Sequence, residues 1–251
     1  MSTTAIILAA GKGTRMKSDL PKVLHPVCGK PMLTYVIDAC RDAGCDRMIL
    51  VVGHRHELVR QTYEGVKDVA FVMQVPQNGT GHAVMVCQDE LAAINGPVIV
   101  VAGDGPLIRP HTLRELIEVH QQKQAACTLA SCILPDPARY GRIIRDEKGD
   151  LAAIVEWIDA TEAQRAVNEV NVSLYCYDAA SLRSALPRLT NHHAKGEYYL
   201  TDTLEFLRAD GKRLAVVANV PPADVMSINT PEELEEVGRM MAARDARGPK
   251  Q

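Results

Sequence analysis

The hydrophobic positions along the first half of the chain predict strands that alternate with helices. Short apolar runs bounded by glycine or polar residues are typical of strands buried on both faces of a parallel sheet. Such runs predict strands at residues 6–10, 47–52, 69–74 and 98–102. Apolar residues spaced three and four apart predict helices at residues 31–43, 55–64 and 78–91. Because parallel strands need crossover connections, these units favour a parallel sheet with helices on both faces.

The second half of the chain is richer in strand-like segments and predicts a mixed sheet. Apolar runs predict strands at residues 126–133, 141–145, 151–157, 169–177 and 213–220. Helical spacing predicts helices at residues 112–123, 178–187 and 198–210. Thr230-Pro231-Glu232-Glu233 combines a capping box with proline at the first helical position, so we expect a last helix over about 230–243. The whole pattern predicts one α/β domain over residues 1–251.

A loop rich in glycine and cations follows the first predicted strand. Gly11 and Gly13 allow a sharp turn whose N–H groups can approach a ligand, and such concavities bind anions. The cations around it are Lys12, Arg15, Lys17 and Lys22. Met16 stands where a dinucleotide fingerprint or a P-loop needs glycine, which excludes both motifs. The loop therefore predicts a polyphosphate site, and a strand–turn with a solvated basic rim is the alternative.

Polar residues also follow two other predicted strands where those strands end. Gln74 closes the strand at 69–74, and Asp104 follows the strand at 98–102 between two glycines. Ligands of open α/β sheets bind outside the carboxyl ends of the strands, so the first loop, Gln74 and Asp104 should face one crevice. An aspartate in this place suits Mg²⁺, which takes one or two carboxylates together with phosphates and water. A residue that stabilises the turn is the alternative reading of Asp104.

Composition and charge narrow the class of protein. The net charge is −3, so no overall basic field points to nucleic acid, and no apolar run approaches the length of a membrane span. The N-terminus lacks a signal-type apolar core, and the seven cysteines form no C-x-x-C pair. We therefore expect a cytoplasmic protein that binds neither nucleic acid nor membrane. His54, His56, His192 and His193 indicate surface residues more than zinc ligands, and no H-E-x-x-H pattern occurs.

The pattern L-A-A-G-K-G-T-R-M followed by L-P-K resembles the signature of sugar-1-phosphate nucleotidyltransferases. More narrowly, it resembles the N-terminal uridyltransferase domain of the bifunctional N-acetylglucosamine-1-phosphate uridyltransferase/acetyltransferases. The likeness recurs in G-D-x-P-L-I around Asp104, in I-N-T around Asn229 and in G-E-Y-Y-L-T-D at residues 196–202. It implies a Rossmann-like, GT-A-like domain with a mostly parallel central sheet. The nucleotide-binding part would span about 1–110, and a mixed-sheet sugar-binding part about 111–228.

The resemblance implies a role for each matching position. Arg15 and Lys22 would be catalytic, and Asp104 and Asn229 would hold Mg²⁺, the expected cofactor. The nucleotide would be bound by Leu8, Ala10, Gly11, Gly13, Gln74, Gly79 and Thr80. The sugar would be bound by Gly141, Glu156, Asn171, Tyr199 and Thr201. Without the resemblance, Asn229 would be a loop residue before the helix cap, and Glu156 an exposed carboxylate at a strand end.

The implied reaction converts UTP and N-acetylglucosamine 1-phosphate into UDP-N-acetylglucosamine and pyrophosphate, a step towards peptidoglycan precursors. The sequence departs from the family pattern mainly among the sugar-binding positions. The departures are Trp157-Ile158, Val172-Ser173 and Lys195, together with Asn78 in the nucleotide-binding part. These departures affect which sugar we expect the protein to bind more than which reaction we expect. The alternatives are another sugar phosphate or nucleotide, or a regulatory protein that binds nucleotide without turnover.

The sequence contains no hexapeptide-like repeat of the kind that builds a left-handed β-helix. The family's acetyltransferase activity and its trimer contacts belong to that β-helix. We therefore expect no β-helix domain, no transfer of acetyl groups and no binding of acetyl-CoA. For the same reason we expect a monomer or a weak dimer.

Overall fold

The computed structural model describes residues 2–218 and 220–245. The strands are β1 (Thr3–Ala9), β2 (Pro26–Val27), β3 (Lys30–Pro31), β4 (Cys45–Val52), β5 (Val69–Met73), β6 (Pro97–Ala102), β7 (Cys127–Ile133), β8 (Arg142–Arg145), β9 (Leu151–Val155), β10 (Glu169–Asp178) and β11 (Leu214–Val217). The α-helices are α1 (Met32–Asp42), α2 (His56–Tyr63), α3 (Thr80–Met85), α4 (Gln88–Ala92), α5 (Pro110–Lys123), α6 (Glu162–Arg165), α7 (Ala179–Ala185), α8 (Asp202–Ala209) and α9 (Pro231–Asp245). Among these residues, no helix combines the length and the apolar character that crossing a bilayer requires.

One sheet of nine strands organises the described residues. Its main order is β11-β7-β10-β6-β1-β4-β5, and β8 pairs with β10 and β9. β1 pairs in parallel with β4 and β6, and β4 pairs in parallel with β5. β10 runs antiparallel to both β6 and β7, so the second half of the chain adds a mixed part to a parallel sheet. The predicted α/β fold with a mostly parallel central sheet is confirmed.

Both faces of the sheet are buried, as the apolar runs predicted. Ile7 belongs to an apolar cluster with residues of α1 and α5, whereas its neighbour Ile6 belongs to a cluster on the opposite face with residues of α7 and α8. Leu50 and Ile49 of β4 divide between the two clusters in the same way. Burying each of these side chains contributes about 1.5–3 kcal/mol. The sheet is therefore held from both sides, and the loops at its edge rest on a rigid support.

The loops after the parallel strands leave the sheet at the same edge, because the carboxyl ends of parallel strands lie together. The N–H of Gly103 donates to the carbonyl of Leu8 over 2.9 Å. The N–H of Gln74 donates to the carbonyl of Val52 over 2.8 Å. These bonds continue the strand ladders by one step and fix the point at which each loop begins.

The helix predicted at residues 198–210 begins four residues later, at Asp202. The segment before it is held by a different loop, because the N–H of Tyr198 donates to the carbonyl of Asn78 over 2.8 Å. The N–H of Gly81 donates to the carbonyl of Tyr198, also over 2.8 Å. The Tyr198 carbonyl is thereby engaged by Gly81 and does not accept from an N–H four residues later, as a first helical turn requires. The predicted start of this helix was therefore wrong.

The strand predicted at residues 151–157 ends at Val155. The N–H of Asp159 donates to the carbonyl of Glu156 over 3.0 Å and closes a turn there. The short helix α6 follows and was not predicted. Its capping box is visible in the sequence, since the Thr161 hydroxyl accepts from the N–H of Gln164 over 3.3 Å and the Gln164 side chain accepts from the N–H of Thr161 over 2.8 Å.

The helix predicted at residues 78–91 is divided into α3 and α4. The N–H of Cys87 donates to the carbonyl of Val84, three residues earlier, over 3.0 Å. This tighter turn ends α3, and a new helix starts at Gln88. The other predicted elements are present, with ends that differ by a few residues.

Arg142, at the start of β8, is 2% exposed although it carries a charge. Its guanidinium donates to four backbone carbonyls, those of Pro137, Ala138, Tyr140 and Arg165. The distances to the Ala138 and Arg165 oxygens are 2.9 and 3.2 Å. The side chain therefore fastens the loop before β8 and the end of α6 to the sheet.

We expect Arg142→Lys to lower the free energy of unfolding by about 2–4 kcal/mol, because an ammonium cannot reach four acceptors arranged around a planar fork. Urea unfolding followed by circular dichroism measures this free energy. Arg114→Lys, on the exposed side of α5, is the matched control and should change it by less than about 0.5 kcal/mol. Equal stability of Arg142→Lys and the wild-type protein would contradict this account of the loop.

Candidate active site

The first loop brings Lys22 against the turn made by Gly13. Gly13 has a φ of +59°, and a Cβ at this position would lie 2.6 Å from the Cβ of Lys22. Both the backbone conformation and the lack of space require glycine. The chain then forms only single 3₁₀ turns at Thr14–Met16 and Lys22–Leu24. An anion in this loop would therefore be held by loop amides and side chains more than by a helix N-terminus.

Four of the predicted residues meet in one hydrogen-bonded cluster. The Lys22 ammonium donates to Asp104 Oδ2 and, over 3.0 Å, to Asn229 Oδ1. The Arg15 guanidinium donates to the same Asn229 oxygen over 3.0 Å. The side chains of Lys22 and Asp104 are 14% and 17% exposed, so this ion pair is largely shielded from water. The hydrogen-bonded side chains of this cluster are two cations, one carboxylate and one amide, so it presents donors to an anionic ligand.

Backbone contacts hold the Asn229 loop against the Asp104 loop. The N–H of Ile228 donates to the carbonyl of Asp104 over 2.9 Å. The Glu233 carboxylate accepts from the N–H groups of Asn229 and Thr230 over 2.5 and 3.1 Å, and the Thr230 hydroxyl accepts from the N–H of Glu233 over 3.2 Å. This is the capping box predicted from the sequence, and it fixes the start of α9 directly beside Asn229.

The oxygen atoms of this cluster are suited to Mg²⁺. Asp104 Oδ2 and Asn229 Oδ1 converge on one cation, the Lys22 ammonium, and Asp104 Oδ1 is buried with no hydrogen-bond partner among the described residues. Over residues 2–218 and 220–245, no group of three or more His, Cys, Asp or Glu side chains could hold a metal ion. Phosphates and water would have to complete the shell of a Mg²⁺ ion, as this ion prefers. The metal role of Asp104 and Asn229 stays a prediction.

Gln74 lies buried after β5, with the orientation of its side-chain amide fixed. Its Nε2 group donates to the carbonyl of Gly79 over 2.9 Å and lies 3.2 Å from Nδ1 of His82. Because a carbonyl can only accept, the nitrogen must face Gly79, which leaves Oε1 for a ligand. Gly79 has a φ of +99°, and a Cβ there would lie 2.5 Å from the carbonyl oxygen of Tyr198. The loop thus presents an acceptor that suits a base with an N–H group on its pairing edge.

The other predicted nucleotide-binding residues lie along the same edge of the sheet. The carbonyls of Leu8 and Ala10 accept hydrogen bonds from the backbone that follows β6 and β4. A Cβ at Gly11 would have no atom within 4 Å, so the space beside this residue is open. The Thr80 hydroxyl accepts from the N–H of Leu200 over 3.2 Å. Thr80 therefore connects the start of α3 to the segment that carries two predicted sugar-binding residues.

Three of the predicted sugar-binding residues lie together around β8. A Cβ at Gly141 would lie 3.3 Å from one oxygen of the Glu156 carboxylate and 3.4 Å from the other, so glycine makes room for this group. The N–H of Asn171 donates to the carbonyl of Gly141 over 2.9 Å, which brings β10 to the same place. Burial raises the pKa of Glu156, and the neighbouring Asp159 carboxylate raises this pKa further.

The side chain of Asn171 is engaged within the protein. Its Nδ2 donates to the Tyr175 hydroxyl over 2.7 Å, and its Oδ1 accepts from the N–H of Ser173 over 3.2 Å. Ser173 has a φ of +54° and lies in a register shift of β10. This is one of the positions where the sequence departs from the family pattern. A side chain is therefore tolerated here in a conformation that favours glycine.

Tyr199 and Thr201 are buried before and at the start of α8, with 8% and 4% exposed. The Tyr199 ring stacks on His193, with 4.0 Å between the ring centroids. The Thr201 hydroxyl is buried and has no partner among the described residues, so it is available to a ligand. His193, which the sequence indicated as a surface residue, is half-buried and lies 2.7 Å from a carboxylate oxygen of Asp202.

The sequence did not predict one ion pair, in which a half-buried arginine contacts a buried carboxylate. Arg109 Nε donates to Asp224 Oδ1 over 2.7 Å, and Asp224 is 1% exposed. The pair joins the loop that follows Asp104 to the loop that precedes Asn229. Neither Arg109 nor Asp224 belongs to a motif. Asp224 is buried between two loops that are distant in the sequence, so no pattern of neighbouring residues indicates its burial.

Comparison with known sequences identifies one family model and several relatives that match this chain. Residues 5–196 match the family model described as the MobA-like NTP transferase domain. The chain is 46% identical over 240 residues to the bifunctional protein GlmU of Geobacter metallireducens, and 44% identical over 245 residues to that of Alkaliphilus metalliredigens. These alignments cover 96% and 97% of this chain but 50% and 53% of the relatives. The chain therefore spans about half the length of the relatives it matches.

Solved structures of UDP-glucose pyrophosphorylase share the fold. The apo structure gives a TM-score of 0.78 at 20% identity and covers 98% of this chain and 100% of that chain. The complex with UDP-glucose gives a TM-score of 0.76 at 19% identity, with 97% and 100% covered. The resemblance identified from the motifs is thus confirmed at the level of fold and family. With residues 5–196 matched by its family model, the chain belongs to the MobA-like NTP transferase family.

Proposed function

We propose that the chain is a sugar-1-phosphate uridylyltransferase that converts UTP and N-acetylglucosamine 1-phosphate into UDP-N-acetylglucosamine and pyrophosphate. The observation that carries the proposal is the cluster of Arg15, Lys22, Asp104 and Asn229 at the carboxyl edge of the sheet. Membership of an NTP transferase family and the relatives named bifunctional protein GlmU support nucleotidyl transfer. The choice of sugar is supported by the family resemblance of the sugar-binding positions.

The proposed reaction needs no nucleophile from the protein. A phosphate oxygen of the sugar phosphate attacks the α-phosphorus of UTP, and a new P–O bond forms. The bond between the α-phosphorus and the oxygen that bridges to the β-phosphate breaks, and pyrophosphate leaves with the electron pair. No general base is required, because the attacking phosphate is already an anion. Catalysis therefore consists of aligning two anions and stabilising the charge that develops between them.

Arg15 and Lys22 would supply most of this stabilisation from the protein. Lys22 is held in place by Asp104 and Asn229, so its charge is positioned before the substrates arrive. Asp104 and Asn229 would also hold Mg²⁺, which when bound neutralises phosphate charge. Arg15 is exposed at the mouth of the cluster, where its guanidinium can contact phosphate oxygens in a bidentate way.

The predicted nucleotide-binding and sugar-binding residues would select the two substrates. The Gln74 Oε1 atom can accept from the N3–H of uracil, whereas cytosine carries no hydrogen on N3. The Glu156 carboxylate can accept from two sugar hydroxyls, and Thr201 offers a buried hydroxyl. Departures such as Ser173 and Lys195 lie among these positions and favour another sugar 1-phosphate as the second candidate substrate.

A substrate panel tests the proposal directly. The protein is incubated with Mg²⁺, each nucleoside triphosphate in turn and each of several sugar 1-phosphates, and released pyrophosphate is measured. We expect the highest kcat/KM for UTP with N-acetylglucosamine 1-phosphate. A different preferred pair would identify a related transferase. Binding of UTP without pyrophosphate release from any pair would contradict the proposal and favour a regulatory protein.

Asp104→Ala should reduce turnover by about 10²–10³-fold or more, because it removes a metal ligand and the partner of the Lys22 ammonium. It should also weaken the binding of Mn²⁺ in the presence of UTP, measured by electron paramagnetic resonance. Asp19→Ala is the matched control, since the Asp19 side chain is 95% exposed and lies outside the cluster. Turnover of Asp104→Ala within a few-fold of the wild-type value would overturn the metal assignment.

Arg15→Ala and Lys22→Ala should each lower kcat by about 10²–10³-fold, the effect of losing one preorganised stabilising group. Lys12→Ala and Lys17→Ala are the matched controls, because both side chains are exposed outside the hydrogen-bonded cluster. Steady-state kinetics with both substrates varied gives kcat and KM for each variant. Equal losses at all four positions would indicate a diffuse field that attracts anions and not a specific pair.

Gly141→Ala should raise the KM for the sugar phosphate by about tenfold, because the new methyl group would lie 3.3 Å from the Glu156 carboxylate and displace it. The KM for UTP should stay within about twofold, since Gln74 and its loop are not touched. Gly238→Ala, at a position with no neighbouring atom within 4 Å, is the control for added volume. An unchanged KM for every sugar phosphate would remove Glu156 from the sugar site.

A further inference from the structure

His193 joins two parts of the proposed sugar site, although it has no role in the proposed reaction. Its Nε2 lies 2.7 Å from Oδ2 of Asp202, in the first turn of α8. Its Nδ1 lies 4.0 Å from Oδ2 of Asp159, which belongs to the turn at residues 156–159. The three side chains are between 18% and 26% exposed, so these charges are partly withdrawn from water.

The imidazole of His193 also supports the Tyr199 ring. The two rings stack with centroids 4.0 Å apart and an angle of 23° between their planes. The pKa of the Tyr199 hydroxyl is raised, first by burial and then by the Asp159 carboxylate. One face of the Tyr199 ring is therefore supported by the His193 imidazole.

Backbone N–H groups of the residues after His193 extend this connection. The N–H of Gly196 donates to the carbonyl of His193 over 2.8 Å. The N–H of Ala194 donates to Asp159 Oδ1 over 3.3 Å, and the N–H of Asp159 donates to the carbonyl of Glu156 over 3.0 Å. The segment at residues 192–201 and the turn at 156–159 are thus linked by both side chains and backbone.

Three carboxylates lie close together around His193. Asp159 and Asp202 raise the pKa of Glu156, after the larger effect of burial. Carboxylates in a small volume repel one another, and an imidazole N–H that is hydrogen-bonded to Asp202 stabilises one of them. Lys195 is exposed, whereas the ring of His193 is fixed by Tyr199 and Asp202.

We propose that His193 is a positioning residue of the sugar site, which clamps the segment at 192–201 and the turn at 156–159 to the start of α8. The inference rests on the proposed function, in which Tyr199 and Glu156 bind the sugar. His193 acts through these two residues and not on the reacting phosphates. Its loss should therefore weaken the binding of the sugar phosphate and leave UTP binding and the chemical step largely unchanged.

The first test separates the two contacts of the imidazole by kinetics. His193→Ala should raise the KM for the preferred sugar phosphate by about tenfold, with the KM for UTP and kcat within about twofold. His193→Gln keeps an amide N–H where Nε2 stands and should restore the KM to within about threefold of the wild-type value. His193→Phe keeps the stacking but cannot donate to Asp202 and should resemble His193→Ala. His192→Ala, at the exposed neighbouring position, is the matched control.

The second test needs no turnover, because Trp157 is the single tryptophan of the chain and lies in the turn at 156–159. Its ring lies 5.0 and 4.6 Å from the guanidinium carbons of Arg139 and Arg165. In His193→Ala the turn loses one of its attachments, so the fluorescence anisotropy of Trp157 should fall. His193→Gln and His192→Ala should keep the wild-type anisotropy.

The two tests distinguish failure of this inference from failure of the proposed function. If the wild-type protein turns over no sugar phosphate, the proposed function fails, and the anisotropy of Trp157 decides whether His193 holds the turn. An unchanged anisotropy together with an unchanged KM in His193→Ala would overturn the clamp. Recovery by His193→Phe and not by His193→Gln would also overturn it, because stacking alone would then position the site. An equal rise of both KM values would indicate general damage and contradict the inference.

Discussion

The Lys22 ammonium, held between the oxygens of Asp104 and Asn229, is the interaction on which the arrangement of the site depends. Asp104 and Asn229 lie 82 and 207 positions away from Lys22 in the sequence. None of the three loops carries an element long enough to hold its side chain alone. The cation therefore connects three loops that would otherwise be independent. In the proposed function, Mg²⁺ would bind the Asp104 and Asn229 oxygens and phosphates would contact the Lys22 ammonium, so that one set of charge-assisted contacts would be exchanged for another.

The sheet gives these contacts a fixed frame. β1, β5 and β6 end at one edge, and both faces of the sheet are packed with apolar side chains, so the loop origins cannot shift independently. The mixed part of the sheet is held in a different way. There a fully buried guanidinium, Arg142, donates to four carbonyls, three in the loop before β8 and one at the end of α6. The parallel part of the sheet thus depends on apolar packing, whereas the mixed part depends more on polar contacts.

The sequence predicted the parts of this molecule whose cause is local. Buried strands appear as apolar runs, and Gln74 and Asp104 could be placed because each follows such a run. The start of α9 was predicted because its capping box is written in adjacent residues. The start of α8 and the burial of Arg142, Asp224 and His193 were not predicted, since their partners lie in distant loops. The roles of the site residues came from family resemblance, and no spacing rule could have supplied them.

The backbone bonds between Tyr198 and the loop at residues 78–81 have a consequence for how this site can change. The loop at residues 78–81 and the segment at 192–201 share hydrogen bonds, and Gly79 leaves no room for a Cβ beside the carbonyl of Tyr198. A replacement of one segment by that of a distant homologue would leave the other with unmatched donors and acceptors. Under the proposed function these two segments contact the base and the sugar, so a chimera that exchanges either specificity would have to carry both segments as a unit.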